Sequence, residues 1–573
     1  GCGNKRYGEQ MPSIEISQKD LCSLIGKKLT LSELEEAVSY AKAEVEAVEG
    51  DILKLDIKDT NRPDLWSAEG IAREIAGRVV KSKRATGLPE YKVNKSRVVV
   101  RVDRKVSKVR PLTVCAVVKG LNVTDDVLSQ MIQLQEKVAN SFGKNRREVA
   151  IGVYDLHKIK PPIRYTTVKP DGIRFVPLEF DKALTPREIL QLHPKGKEFG
   201  HLLAGQDEYP IFIDSADNVL SLPPIINSNY TGKVTHETKD LFIECSGFDF
   251  KFLLPALNVI VTALAERGAK IQSVKIVYPD KTMHTPDLTP KQAVVDVAYV
   301  NKLSGLNLTA KQMCRLLEQA RYEAKLRNGR IKVWYPAYRQ DIIHQRDIVE
   351  DIIVSYGYNR IEPEEPKLAT VGAISEVERF SNKVAEIMIG LGMQEVLSYM
   401  MTNKENLFAK MNLSEQSIAE VENPVSANWC VFRNWLLPGL LEFLSHNLHV
   451  EYPQRVFEIG DVVLLDEKTE TKTKNIRKLA AAISESKVSY ENIASVVDAL
   501  LTNLGVSYAL KPTKHPSFID GRVAAVVIDG KDVGIIGEIH PLVLSNFGIE
   551  MPVVAFEIDI EAIFLSHPTD QTL

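Results

Sequence analysis

The hydrophobic pattern changes rhythm along the chain. Between about residues 90 and 280, β-branched runs predict strands at KSRVVVRV from Lys95 and PLTVCAVV from Pro111. VLSQMIQLQEKVANSF, from Val127, switches to a helical period, with Met131, Leu134 and Val138 on one stripe. YPIFIDSADNVLSLPPIINS reads as strand, turn at Asp217-Asn218, strand and a Pro-Pro stop. LFIECSGFDFKFLLPALNVIVTALAERG then predicts a strand leading into a long apolar helix. From about Ala369 a further α+β region begins. SEVERFSNKVAEIMIGLGMQEV predicts an amphipathic helix stopped by Gly390 and Gly392. Strands are predicted at VLSYMMT, QRVFEIGDVVLLD, KLAAAISE, RVAAVVIDG and KDVGIIGEIHP, with a helix at YENIASVVDALLTNLG.

Around the first of these regions the chain repeats itself. The segment from Leu24 parallels that from Leu303, matching Thr30 with Thr309, Glu44 with Glu323 and Ile52 with Ile331. Each threonine is followed three residues later by Glu33 or Gln312, the arrangement of a capping box at a helix start. After a short shift, NRPDLWSAEGIAREIAG pairs with YRQDIIHQRDIVEDIIVSYG, so that Arg62 faces Arg339 and Asp64 faces Asp341. On that register Asp347 falls opposite Gly70 and Glu350 opposite Arg73, which predicts a first copy with the scaffold and without the acids. Arg62 and Asp64 read as a structural ion pair at a helix start.

Composition narrows the class. At 573 residues, with 44% hydrophobic and 26% charged residues, the chain is an ordinary globular protein of several domains. A net charge of −3 excludes a basic coat for nucleic acid, so any RNA contact is local. The basic run RVDRKVSKVRP reads mainly as a protected strand edge. Cys2, Cys22, Cys115, Cys245, Cys314 and Cys430 are scattered without a C-x-x-C pair, against a zinc site or a disulfide framework. No apolar run is long enough for a membrane span, and the segment before Met11 lacks the apolar stretch of a signal peptide. Residues 1–10 are therefore expected to be a tag or upstream remnant.

The acids of the second copy are the first candidate chemistry. Asp347, Glu350 and Asp351 are spaced i, i+3, i+4, one face of a helix, with Asp341 six residues before them. Such a set reads either as a solvated acidic face or as oxygen ligands for a hard cation such as Mg²⁺. The run PAYRQDI, DIVED and YGYNRI resembles the B5 region of the phenylalanyl-tRNA synthetase β-subunit family. That resemblance implies a Mg²⁺ held by Asp341, Asp347, Glu350 and Asp351 near the contact with an α subunit. His344, among these acids, and His236 lack partners at ligand spacing, and neither is assigned a metal.

The middle region is similar to the B3/B4 domain of the same family, in VAIGVYDL, LSLPPIINS and TKDLFIECSGFDF. The family's domain hydrolyses tyrosine wrongly attached to the phenylalanine tRNA. A pocket shaped for phenylalanine rejects an added hydroxyl only weakly, so a second sieve is useful. Glu244, Ser246 and Ser221 are the candidates for that pocket, with Glu244 accepting from the tyrosine hydroxyl and Ser246 near the ester. The plain alternative leaves Glu244 on a solvated strand and Ser246 in a turn.

The last region resembles B6/B7, a class II aminoacyl-tRNA synthetase core, in ENPVSANWCVFRNWLLPGLLEFLSHN, RVFEIGDVV and GEIHP. Phe432-Arg433-Asn434-Trp435 puts tryptophan where an F-R-x-E pair needs glutamate, and no G-x-G-x-x-R run is present. Without fixed cations a triphosphate is not clamped for attack. The resemblance thus implies an inactive catalytic fold.

The expected organisation is α+β and multidomain. It comprises an N-terminal B1-like domain over 11–88, a B3/B4-type editing domain over 89–282, a B5-like domain over 283–362, and a degenerate class II antiparallel-sheet domain over 363–573. The B1-like and B5-like copies are expected to be winged-helix-like repeats. The resemblance implies a cytoplasmic (αβ)₂ ligase in which the α subunit binds phenylalanine and ATP and charges tRNA(Phe). A free-standing editing hydrolase and a non-catalytic scaffold are the alternatives.

Overall fold

The computed structural model describes residues 13–80, 82 and 85–566; residues 1–10 and Met11 lie outside the described residues. The chain divides into two compact units, parting between Glu364 and Glu365.

Within the first unit the internal repeat is a repeated fold. One copy runs strand Ser13–Ser17, helices Gln18–Ile25 and Leu31–Val38, hairpin strands Ala43–Glu49 and Ile52–Ile57, and helix Ala68–Val79. The other runs strand Lys291–Asp296, helices Val297–Ser304 and Ala310–Gln319, strands Glu323–Arg327 and Arg330–Tyr335, and helix Gln345–Tyr356. In each, the third strand lies between the other two. Both capping boxes form: Thr30 and Thr309 accept from the backbone three residues on, while Glu33 and Gln312 reach back. The first helix of each copy ends on a left-handed glycine, Gly26 at φ 78° and Gly305 at φ 72°.

Between the copies stands a ten-stranded mixed sheet. Its strand Leu241–Gly247 pairs antiparallel with both Leu112–Lys119 and Val149–Asp155. All three are buried along nearly their whole length, which is why they read as continuous apolar runs instead of alternating ones. The apolar helix Phe250–Glu266 packs on this sheet, burying Leu253, Leu257, Ile260 and Leu264. Each such side chain contributes roughly 1.5–3 kcal/mol by leaving water.

The second unit is built on a seven-stranded sheet. Its longest hairpin joins Gln454–Leu465 to Thr473–Ser484. The helices Glu376–Gly390 and Tyr490–Asn503 lie where the periodicity put them. VLSYMMT differs from expectation: only Gln394–Glu395 and Met401–Thr402 pair as strands. Between them Val396 is buried while Leu397 and Tyr399 are exposed, and among the described residues no strand pairs with Leu397 or Tyr399.

Candidate functional site

The acids of the second copy are drawn apart by different partners. Arg339 donates through Nε and Nη2 to both oxygens of Asp341, at 2.8 and 2.6 Å, and through Nη2 to Asp351 at 2.8 Å. Tyr322 also donates to Asp351. Burial pushes Asp341 upward, but the Arg339 and Arg62 guanidinium groups outweigh it and hold the carboxyl below its usual range. Asp347 is the third residue of helix Gln345–Tyr356 and accepts from the Ile343 and His344 amides, each at 2.7 Å. His344 is that helix's cap, its Nδ1 accepting from the Arg346 amide. Glu350 points elsewhere, to Lys42 of the first copy at 3.2 Å and to the Tyr358 hydroxyl.

The helix is therefore as expected, while the convergence is not. Among the described residues no three acids, histidines or cysteines group as a metal site. A Mg²⁺ needs its oxygens on one small sphere, at about 2.1 Å. As they stand, these four carboxylates do not fit a shared ion, because a guanidinium holds Asp341 and Asp351, two amides hold Asp347, and Lys42 and Tyr358 hold Glu350.

The first copy explains the arrangement. Arg62 donates to both oxygens of Asp64 and to Glu74, at 2.9, 2.8 and 2.8 Å. Glu74 thus stands where Asp351 stands, which corrects the reading that the first copy lacks the acids: it keeps two of the four. The copies touch here, Arg62 lying 3.8 Å from Asp341 and Arg78 donating to Ser355.

The middle domain holds a cavity of about 300 Å³. Its walls come from helix Asp125–Lys137, strand Val149–Asp155, the cis-prolyl turn Pro223-Pro224 and the strand carrying Glu244. Glu244 and Ser221 both line it. Glu244 is buried, and burial pushes its carboxyl up to about 8, against the pull of Tyr154 and Arg110. It is consequently neutral at pH 7. Its Oε1 accepts from the Tyr154 hydroxyl at 3.1 Å; its Oε2 is buried without a hydrogen-bond partner. The Tyr154 hydroxyl also lies 2.7 Å from Ser221 Oγ and 3.3 Å from Asn227 Oδ1.

Ser246 is not brought to this cavity. Its hydroxyl accepts from Arg110 Nε at 3.1 Å and its carbonyl from Arg110 Nη2, fully buried behind the wall. Arg110 also holds the carbonyls of Arg146 and Arg147. Lys144, Asn145 and Arg146 all have positive φ, a strained turn that these bonds sustain. Arg146 lies at the cavity and donates to the carbonyls of Pro224 and Ile225. His236 sits apart, exposed beside Asp125 at 3.3 Å.

Tyr154, Asn227 and Arg146 are site residues that the sequence reading missed. One signal was present: Gly152, inside the wholly buried strand Val149–Asp155, faces Glu244 in the register. A Cβ there would lie 2.0 Å from the Tyr154 hydroxyl and 2.7 Å from Glu244 Oε1. Glycine in a central strand marks such a close approach.

In the second unit Arg433 is buried and donates to Glu458 at 2.6 Å, to Ser398, and to the carbonyl of Asp461. Its guanidinium is spent on the fold.

Comparison with known proteins places these features together. The family model for the tRNA synthetase B5 domain matches residues 293–358, and that for the phenylalanyl tRNA synthetase beta chain CLM domain matches 361–560. The chain is 52% identical over 558 residues to the phenylalanine–tRNA ligase beta subunit of Pyrococcus abyssi, covering 97% of this chain and 100% of that one. It is 40% identical to the corresponding subunit of Korarchaeum cryptofilum, covering 96% and 99%. A crystallised N-terminal fragment of the phenylalanyl-tRNA synthetase beta subunit of Pyrococcus horikoshii superposes with a TM-score of 0.59 at 51% identity, covering 61% of this chain and 100% of the fragment.

Proposed function

The chain belongs to the phenylalanine–tRNA ligase β-subunit family, and from that premise we propose that it acts within an α–β ligase and removes tyrosine from mischarged tRNA(Phe). One observation carries the editing reading: the buried, uncommitted oxygen of Glu244 at the wall of a cavity large enough for an aminoacyl side chain. A tyrosine hydroxyl entering there gives that oxygen its missing hydrogen bond. Phenylalanine leaves it unpaired, and a site built around such a bond rejects the analogue lacking it by about 10⁴–10⁵. The described lining contains no histidine or cysteine, which favours attack by water over a covalent acyl-enzyme.

Synthesis is assigned to the α subunit, with phenylalanine and ATP bound there. Arg433, the candidate for a nucleotide-binding arginine, is clasped by Glu458. The second unit then serves as a packing partner for the working site, in an (αβ)₂ assembly in the cytoplasm. Ligases of this family typically use ATP and Mg²⁺. A Mg²⁺ on Asp341, Asp347, Glu350 and Asp351 stands on the resemblance alone. It requires Asp347 to leave two amides, and Asp341 and Asp351 to leave Arg339.

The test is misacylation by the assembled ligase. With Glu244→Ala, Tyr-tRNA(Phe) should accumulate at least tenfold above the wild-type level, with phenylalanine charging unchanged. Equal levels of Tyr-tRNA(Phe) in both enzymes would reject the editing reading.

A further inference from the structure

We propose that Tyr154 is the positioning residue of this cavity: its phenol fastens Oε1 of Glu244, so that Oε2 alone is presented to the hydroxyl that distinguishes tyrosine from phenylalanine. The inference rests on the editing reading and names a residue that this reading does not require.

A glutamate side chain has three rotatable bonds, and a carboxyl with neither oxygen fixed would present either one at many angles. Here the carboxyl is fixed from one side only. Tyr154 is fully buried, its ring packed at 5.9 Å on Phe242, so its hydroxyl is delivered at one place. The strand gives up a side chain at Gly152 to let that hydroxyl pass beside Glu244.

A phenol has one proton, and three oxygens surround this one: Ser221 Oγ, Asn227 Oδ1 and Glu244 Oε1. Ser221 can donate back, so the Tyr154 proton is free to serve Glu244. The wall thus contains a tyrosine already satisfying one oxygen of the carboxyl. A substrate tyrosine satisfies the other. A residue that merely filled space would need the ring and not the hydroxyl.

The experiment uses the assembled ligase and tyrosyl-tRNA(Phe), with steady-state deacylation measured across pH 6–9. Tyr154→Phe should raise KM about tenfold, the worth of one misplaced hydrogen bond, and leave kcat within about twofold. In a Glu244→Ala background, which lacks the accepting oxygen, the same substitution should add nothing, because the phenol acts through Glu244. The pH midpoint attributed to Glu244 should rise in Tyr154→Phe, which removes a donor to the carboxyl. It should rise by a smaller amount in Ser221→Ala, which removes the hydroxyl that donates back to the phenol and polarises it toward Glu244. This second variant carries the test if Tyr154→Phe fails to fold. Wild-type enzyme that releases no tyrosine would overturn the editing reading, and this inference with it. Active wild type with an unchanged KM and midpoint in these variants, or full additivity with Glu244→Ala, would overturn the role of Tyr154 alone.

Discussion

Glu244 has two oxygens in different circumstances, one bonded to Tyr154 and one bonded to nothing. Burial raises its folded-state pKa to about 8, from an ordinary value of 4.5. The folded chain therefore keeps a proton that the unfolded chain gives up in between. Below about pH 4.5 the group costs nothing; as pH rises toward 8 stability is lost, by at most about 1.4 kcal/mol per pH unit; above 8 the loss is complete. Glu244→Gln does not titrate, so its melting temperature should climb relative to wild type between pH 5 and 8 and then hold level. A difference independent of pH would mean that the carboxyl is already ionised when folded. The sequence alone offered Glu244 only through family resemblance, since a glutamate in LFIECSG looks like any strand residue. Its burial depends on strands at 112–119 and 149–155, far off in sequence. Ser246, on the same face two residues on, could not be separated from it without seeing Arg110.

At the level of elements, the two Arg–Asp–acid clasps are the main construction. In both copies an arginine reaches an aspartate two residues on and a carboxylate twelve residues on. Each ties the turn before the last helix to the helix itself. The helix periodicity and the capping boxes were legible because they depend on residues three or four apart. The clasp was only half legible: Arg62–Asp64 is local, while the third member waits for the helix to bring it back. The spacing of the four acids left a solvated face and a cation site both open, and the family resemblance pointed to Mg²⁺; that Arg339 supplies the positive charge for Asp341 and Asp351 shows only in the fold. Removing that arginine should be severe. Arg339→Met leaves Asp341 and Asp351 buried and uncompensated, at a cost of about 3–5 kcal/mol, and adding Asp341→Asn with Asp351→Asn should recover most of that in thermal melts. Asp347→Ala should cost about 1 kcal/mol through the lost cap, with bound Mg²⁺ per assembled ligase unchanged by elemental analysis. Loss of one equivalent of Mg²⁺ per β chain would restore the ion site in place of the clasp.

At the scale of the molecule, the hydrophobic clusters respect the parting at Glu364. The buried clusters lining the repeats and the large sheet draw on residues 14–352, and those of the second unit on 380–563. The connecting residues 362–376 are exposed and carry almost no regular structure, the kind of backbone a protease can thread. Limited proteolysis should cut there first and release two fragments that each keep a cooperative melt. The cavity proposed for editing, Tyr154, Glu244 and Arg110 all lie in the earlier fragment, so residues 13–364 alone should still deacylate tyrosyl-tRNA(Phe). Neither fragment, nor the whole chain without an α subunit, should exchange pyrophosphate into ATP, because Arg433 is held by Glu458 and cannot grip a phosphate at the same time. Exchange by the chain alone would move synthesis back onto this polypeptide. First cuts inside 89–282 would show that the cavity wall is looser than its buried strands imply.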